Sequence, residues 1–295
     1  MQEGNFKSYL HLHLIVFIWG FTALLGKLIS LKTLDLVWYR MFFAILILGI
    51  YVFVKKIPLK ISPQLFLQFM LGGIIICCHW LTFYQAIKVS NISVTLACLS
   101  TGAFFASLLE PLFYNRRIIW YEVFFGLLVI LGLLIIFNVT KEFQFGIVLA
   151  LTSAFLSALF SVYNGKFAKQ YDPNLISFYE LGGGLFFLTL YFLATNSFTP
   201  TFFTLSLSDL IGLFVLSSIC TAYAFSASVK VMKYLSPYTV MLTINLEPLY
   251  GILLAILVFQ DSEKMKPSFY LGAFLILITV IVNGILKNKK KSFLS

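Results

Sequence analysis

The chain has 295 residues; 60% are apolar or aromatic, only 11% are charged, and the mean hydropathy is +0.97. A soluble domain carries about 25% charged residues, so 21 bases and 11 acids cannot clothe a water-exposed surface of this size. The formal charge of +10 does not signal nucleic-acid binding, because the bases sit in short clusters between apolar runs, as in membrane loops. Disorder, coiled coil and disulfide scaffold are excluded with it.

A helix crossing a ~30 Å hydrocarbon core needs about 20 apolar residues. Runs of that length predict ten spans, over residues 9–31, 35–54, 65–87, 91–114, 118–138, 144–166, 174–195, 207–229, 237–259 and 268–287. The connections are short and hold the turn residues and charges: Lys55-Lys56-Ile57-Pro58, Asn115-Arg116-Arg117, Tyr171-Asp172-Pro173-Asn174, Asn196-Ser197 and Gln260-Asp261-Ser262-Glu263. The first run is too long for the apolar part of a signal peptide and lacks a small-residue cleavage site, so it reads as a permanent span. Counted on alternate sides, 14 Lys and Arg fall on the amino-terminal side and 7 on the other. That bias predicts a multi-pass protein of the cell (inner or plasma) membrane with both termini cytoplasmic. Cys77, Cys78, Cys98 and Cys220 all lie inside apolar runs with no metal-ligand spacing, and read as small buried side chains.

Self-comparison gives a weak repeat. Gly26-Lys27 near the end of span 1 matches Gly165-Lys166 near the end of span 6, and Trp38-Tyr39-Arg40 falls against Ser177-Phe178-Tyr179 at the same offset of 139. By the last spans the offset is 146, pairing Phe124-Phe125-Gly126 with Tyr270-Leu271-Gly272. The spans divide five and five, into 1–140 and 141–295. An odd number of spans per repeat makes the second copy enter from the opposite face. The expected fold class is an all-α polytopic membrane protein, ten transmembrane helices in two inverted five-helix repeats. Such repeats build secondary transporters with a substrate site near the midplane.

Four motifs make the chain resemble the EamA family of the drug/metabolite transporter superfamily. They are Trp19-Gly20 in span 1, Tyr39-Arg40 in span 2, Asn245-Leu246-Glu247-Pro248-Leu249-Tyr250-Gly251 in span 9, and the step from Glu263 to Gly272 into span 10. The resemblance implies that spans 1–4 and 6–9 surround a central cavity and that 5 and 10 are peripheral. One departure is the lack of a proline in mid-span 4, where Thr101-Gly102 stands instead.

An ionisable group deep in a span is costly and therefore a site candidate. Glu247 lies ten residues into span 9, about 15 Å at ~1.5 Å per residue. With Asn245 and the carbonyl that Pro248 leaves without its donor, it is expected to form a polar cluster at a kink. It is read as a protonation site with a raised pKa, coupling export to protons, as a counter-charge for a cationic group, or as a protonated acid hydrogen-bonded to a neighbouring helix. Glu180 precedes Gly182-Gly183-Gly184 in span 7, which read equally as a hinge beside a gating acid or as a close helix crossing. For Arg40, snorkelling to the headgroups or pairing with Asp35 stands beside anchoring of a substrate carboxylate. Glu110 reads as an interfacial ion pair with Arg116 and Arg117. His79, Trp80 and Tyr84 of span 3, with Trp19, Tyr163 and Asn164, are candidates for an aromatic cavity, His79 reading equally as a hydrogen-bonded core histidine. Ala150, Ala154 and Ala158, Ser153, Ser157 and Ser161, and Ser218, Ala222 and Ser226 form four-spaced stripes suited to close helix packing.

The expected function is a secondary transporter, exporting a small-molecule substrate (an amino acid or an amphipathic compound) by alternating access, with protons as a candidate co-substrate. The lipid bilayer is its partner, and a homodimer stays open. No cofactor, metal or nucleic acid is called for, and no GxxxxGK[ST] sequence exists to power an ATP pump. The alternative, an integral-membrane enzyme acting on lipid or prenyl chains, needs convergent acids or histidines that this sequence does not cluster.

Overall fold

A computed structural model describes residues 3–115, 120–139 and 141–292. Those residues are helical throughout their ordered elements, with no strand among them. Span 1 is α1 (Glu3–Leu28), span 2 is α2 (Thr33–Val54) and span 3 is α3 (Pro63–Val89). Span 4 is made of α4 (Ile92–Leu99) and α5 (Gly102–Tyr114), and span 5 is α6 (Trp120–Val139). In the second half span 6 is α7 (Gln144–Asn164) and span 7 is α8 (Pro173–Ala194). Span 8 joins α9 (Leu207–Ser217) to α10 (Ala224–Val231) through a π-helical turn, Ser218–Tyr223. Span 9 is α11 (Pro237–Ile244) and α12 (Glu247–Phe259), and span 10 is α13 (Pro267–Ser292). Eight of these spans are long and apolar enough to cross a membrane over their described residues; α6 and α13 contribute shorter apolar segments, Phe124–Ile136 and Pro267–Thr279. The chain is an all-α polytopic membrane protein of ten helices in two inverted repeats of five.

Helix starts follow one local rule. Ser62, Asp172 and Ser236 each accept a hydrogen bond from an amide of the first turn, and a proline follows each at the first helical position. The cap satisfies an orphan donor, and the proline loses nothing because its missing N–H had no partner there.

The equivalent spans 4 and 9 both break in mid-membrane, at Ser100-Thr101 and at Asn245-Leu246, 145 residues apart. Pro248 explains the second break, since it cannot donate into the helix. The first needs no proline. The hydroxyls of Ser100 and Thr101 bond back to the carbonyls of Ala97 (2.6 Å) and Cys98 (2.8 Å), and Gly102 follows. Such back-bonding bends a helix. In both breaks one amide turns to the carbonyl three residues earlier, Thr101 to Cys98 (3.1 Å) and Leu246 to Thr243 (3.0 Å). Thr101-Gly102 therefore does the work of the proline that the middle of span 4 lacks.

The halves interlock rather than abut. Spans 3 and 6 pack closely, span 1 packs along α12, and span 4 packs against both parts of span 9. Spans 5 and 10 pair at the periphery, where an added Cβ at Gly132 would lie 3.0 Å from the Gly272 carbonyl oxygen, and one at Gly272 2.9 Å from that of Gly132.

Gly183 and Gly184 of α8 lie in a close crossing with α3, while Gly182 faces Ile45 of α2. The helix runs unbroken through Gly182-Gly183-Gly184, and an added Cβ at Gly183 would meet the Met70 backbone at 2.9 Å. At Gly73 an added Cβ would lie 2.7 Å from the Gly184 amide nitrogen and closer still to the Glu180 carbonyl. Gly73→Ala is thus expected to cost about 1–3 kcal/mol by overpacking, seen as a lower melting temperature in detergent. Gly49→Ala, whose new methyl would find only Phe178 at 3.5 Å, should leave that temperature unchanged or raise it.

Candidate functional site

A cavity sits between the halves at mid-membrane. Its volume is about 70 Å³. That is smaller than the ~300–1,000 Å³ usual for a ligand pocket: the site is narrow and closely walled by side chains. Spans 1, 2, 3, 4, 6, 8 and 9 line it. Span 7 contributes nothing to the wall, contrary to the expectation from the family resemblance, because it is packed behind spans 2 and 3.

An arginine and a glutamate face this space. Arg40 on α2 is 2% exposed and Glu247, the first residue of α12, is 6% exposed. No ion pair joins them within 4.0 Å, and among the described residues the Glu247 carboxyl has no hydrogen-bond partner. Arg40 does not snorkel and does not pair with Asp35; its side chain turns inward. Nε donates to Thr221 Oγ1 (2.7 Å), Nη1 donates to the Tyr84 hydroxyl (2.6 Å), and the guanidinium lies 3.8 Å from the Trp80 ring centroid. Stacking and two hydrogen bonds fix the plane of the fork.

Span 8 provides the seat for this arginine through its π turn. Thr221 Oγ1 donates to the Leu216 carbonyl five residues back (2.7 Å), which leaves its lone pair for Arg40. The next carbonyl, of Cys220, accepts from Trp19 Nε1 (3.2 Å). Widened turns of this sort recur at functional sites.

His79 is buried at the cavity wall, with Nδ1 2.9 Å from the Ser153 carbonyl and 2.8 Å from its hydroxyl. Ser157 and Ser161, on the same stripe as Ser153, also reach the wall, while Ala150, Ala154 and Ala158 are buried in helix packing. The Ser218, Ala222 and Ser226 stripe lines a second hollow, of about 1130 Å³ counted to open solvent, on the amino-terminal face with His11, Asp172 and Lys230.

Trp19, Arg40, His79, Trp80 and Glu247 are therefore brought together, and five other candidates are not. Tyr84 stands behind Arg40. Asn245 is 1% exposed, lies off the cavity, and neither of its amide atoms has a partner; a two-residue offset turns it away from Glu247. Tyr163 donates to the Gln68 carbonyl (3.0 Å), and Asn164 donates to Glu180 (3.2 Å) in a fully buried pair between spans 6 and 7. Arg116 and Arg117, the expected partners of Glu110, lie outside the described residues. Phe160, Phe225, Thr22 and Thr221 complete the site unforeseen. An apolar sequence hides aromatic wall residues among its 33 Phe, and only the π turn distinguishes Thr221.

Tyr84→Phe removes one hydroxyl acceptor from Arg40 and leaves the ring. A hydrogen bond to a charged group is worth about 1.5–3 kcal/mol, so substrate affinity is expected to fall at least about tenfold, measured as the apparent Kd, with the melting temperature little changed.

The sequence profile of the EamA-like transporter family matches the chain twice, over residues 6–138 and 144–285. No curated protein matches it. A solved crystal structure, titled only as that of a protein, is 16% identical and superposes with a TM-score of 0.68, covering 95% of this chain and 98% of its own. That likeness concerns the fold. With the profile spanning both repeats, the chain belongs to the EamA-like transporter family, and it is a multi-pass membrane transporter of small molecules.

Proposed function

We propose that the protein is a secondary-active exporter of small zwitterionic metabolites, amino acids with apolar side chains or amphipathic compounds of the same charge pattern. Transport proceeds by alternating access between the five-helix units 1–140 and 141–295. One observation carries this reading: Arg40 and Glu247 face one cavity without a direct ion pair between them, among Trp19, Trp80 and Phe225. A substrate carboxylate suits the stacked guanidinium, an ammonium suits Glu247, and the aromatic wall takes an apolar side chain. Glu247 serves in turn as the proton site when no substrate is bound.

The membrane is the cell (inner or plasma) membrane, with both termini cytoplasmic, in keeping with the distribution of bases. The wide hollow lined by Ser226 and Lys230 then opens to the cytoplasm, where an exported substrate is collected. Purified protein should be stabilised by apolar amino acids, by about 2.7 kcal/mol at a hundredfold excess over Kd. The decarboxylated amines and deaminated acids should stabilise it far less. Equal stabilisation by the amines alone would remove Arg40 from substrate recognition and sink the zwitterion reading.

A further inference from the structure

Each face of the molecule carries a related device, built from residues exchanged between the repeats. On the face opposite the termini, Glu263 lies in the turn between α12 and α13 and is fully buried. Its carboxylate accepts the backbone N–H of Ile92 (3.1 Å) and Ser93 (2.9 Å), the first two residues of α4, and the Ser93 hydroxyl (3.0 Å). Lys27, at the end of α1, binds the same carboxylate at 2.7 Å and lies 4.3 Å from the Phe259 ring centroid. On the amino-terminal face Glu110, buried in α5, accepts the backbone N–H of Tyr238 at 2.8 Å, the second residue of α11. Lys166, just beyond α7, lies 4.7 Å from the Phe113 ring centroid.

The parts correspond by the repeat. Lys27 and Lys166 are 139 residues apart, Phe113 and Phe259 146, and the clamped amides of Ser93 and Tyr238 145. In each case a carboxylate of one repeat holds the start of the fourth span of the other. Pro237 has no N–H, so Glu110 holds one amide of α11 where Glu263 holds two of α4. Amides in the first turn of a helix have no partner of their own and carry its positive end, so a carboxylate there makes charge-assisted bonds. Those bonds cross from one repeat to the other, one set toward each face of the helix bundle. The repeats cannot part at either face without breaking the bonds there.

We propose that Glu263 and Glu110 are the two latches of the transport cycle, one at each face, released alternately. This inference rests on alternating access as proposed above, but not on the identity of the substrate. Releasing one latch should bias the protein to open on that face alone.

The test uses the full-length protein in proteoliposomes with the four native cysteines replaced by alanine and a reporter, Ser157→Cys, in the cavity wall. A membrane-impermeant maleimide is applied to one face at a time. Glu263→Gln is expected to raise the labelling rate severalfold from the face opposite the termini only, and Glu110→Gln from the amino-terminal face only. Lys27→Met, which leaves the carboxylate on α4, should act like Glu263→Gln with a smaller effect and covers the case in which Glu263→Gln does not fold. A Ser93→Cys/Glu263→Cys disulfide should block labelling from its own face and arrest transport until reduced. Unchanged rates, or equal increases from both faces, would overturn the proposal, since simple loss of helix capping loosens the protein without regard to side. Substrate counterflow is measured on the same vesicles. Counterflow with unaltered labelling defeats the latches alone, whereas a reporter reached from one face in every variant, with no counterflow, defeats alternating access itself.

Discussion

Arg40→Lys should lower substrate binding and counterflow by about 30-fold or more while the protein still reaches the membrane. Lysine keeps the charge, so the expected loss concerns geometry. At this position Nε and Nη1 are both engaged, by Thr221 and Tyr84, and the guanidinium plane rests on Trp80 at 3.8 Å. One planar group makes all three contacts and still presents a further N–H edge to the cavity. An ammonium is a compact point charge with a single nitrogen. It can reach Tyr84 or Thr221, and the substrate then meets a mobile, misplaced cation. Truncating one partner of a buried, hydrogen-bonded charge pair costs about 2–5 kcal/mol, and ~1.4 kcal/mol is tenfold in affinity. Apparent Kd for an apolar amino acid and the counterflow rate are the quantities to measure. Normal affinity with a lowered melting temperature would make Arg40 a rivet between spans 2, 3 and 8 rather than a substrate anchor.

This arginine also marks how far the sequence could be read. Ten apolar runs and their short basic loops follow from hydropathy and charge, on which membrane insertion acts, and the five-and-five division from the weak internal repeat. The motif residues that carried the family resemblance each have a structural duty. Gly20 and Gly251 meet where α1 crosses α12, Arg40 and Glu247 face the cavity, Glu263 holds α4, and Gly272 lies against Gly132. What hydropathy cannot supply is the direction in which a side chain points. Arg40 was expected at the headgroups as much as in a site, since its depth in span 2 permits both. Only Thr221, on a turn of a different repeat half, decides between them.

The polar residues that missed the cavity failed for a related reason. Asn164 and Glu180 come from different spans and share one hydrogen bond at 3.2 Å, which no spacing within one span announces. Asn245 shares the depth of Glu247 but not its face. The break in span 4 was hidden because a Ser-Thr-Gly sequence bends a helix through hydroxyl back-bonding, a weaker signal than proline. Glu110 and Glu263 occupy different positions in the repeat, so self-comparison aligns Lys27 with Lys166 and Phe113 with Phe259 but passes over the carboxylates that work beside them.

Glu247→Gln should abolish accumulation driven by a proton gradient and leave downhill exchange in place. The substitution keeps size and shape and removes only the capacity to carry a proton and a charge. Glu247 begins α12 at the mid-membrane break of span 9, faces the cavity, and among the described residues makes no hydrogen bond that would tie it up structurally. If its proton and the substrate ammonium compete for the carboxylate, each substrate exported is exchanged for one proton. One coupled proton is then worth a tenfold concentration ratio per pH unit, about 1.4 kcal/mol. Vesicles of the native protein with a gradient of one pH unit should approach that ratio, and Glu247→Gln vesicles should reach equality on both sides. Counterflow, which needs no net proton movement, should persist in the variant with reduced affinity for the ammonium. Undiminished gradient-driven accumulation in Glu247→Gln would move coupling to another carboxyl, and Glu180, fully buried with one oxygen unpartnered, would be the next to replace.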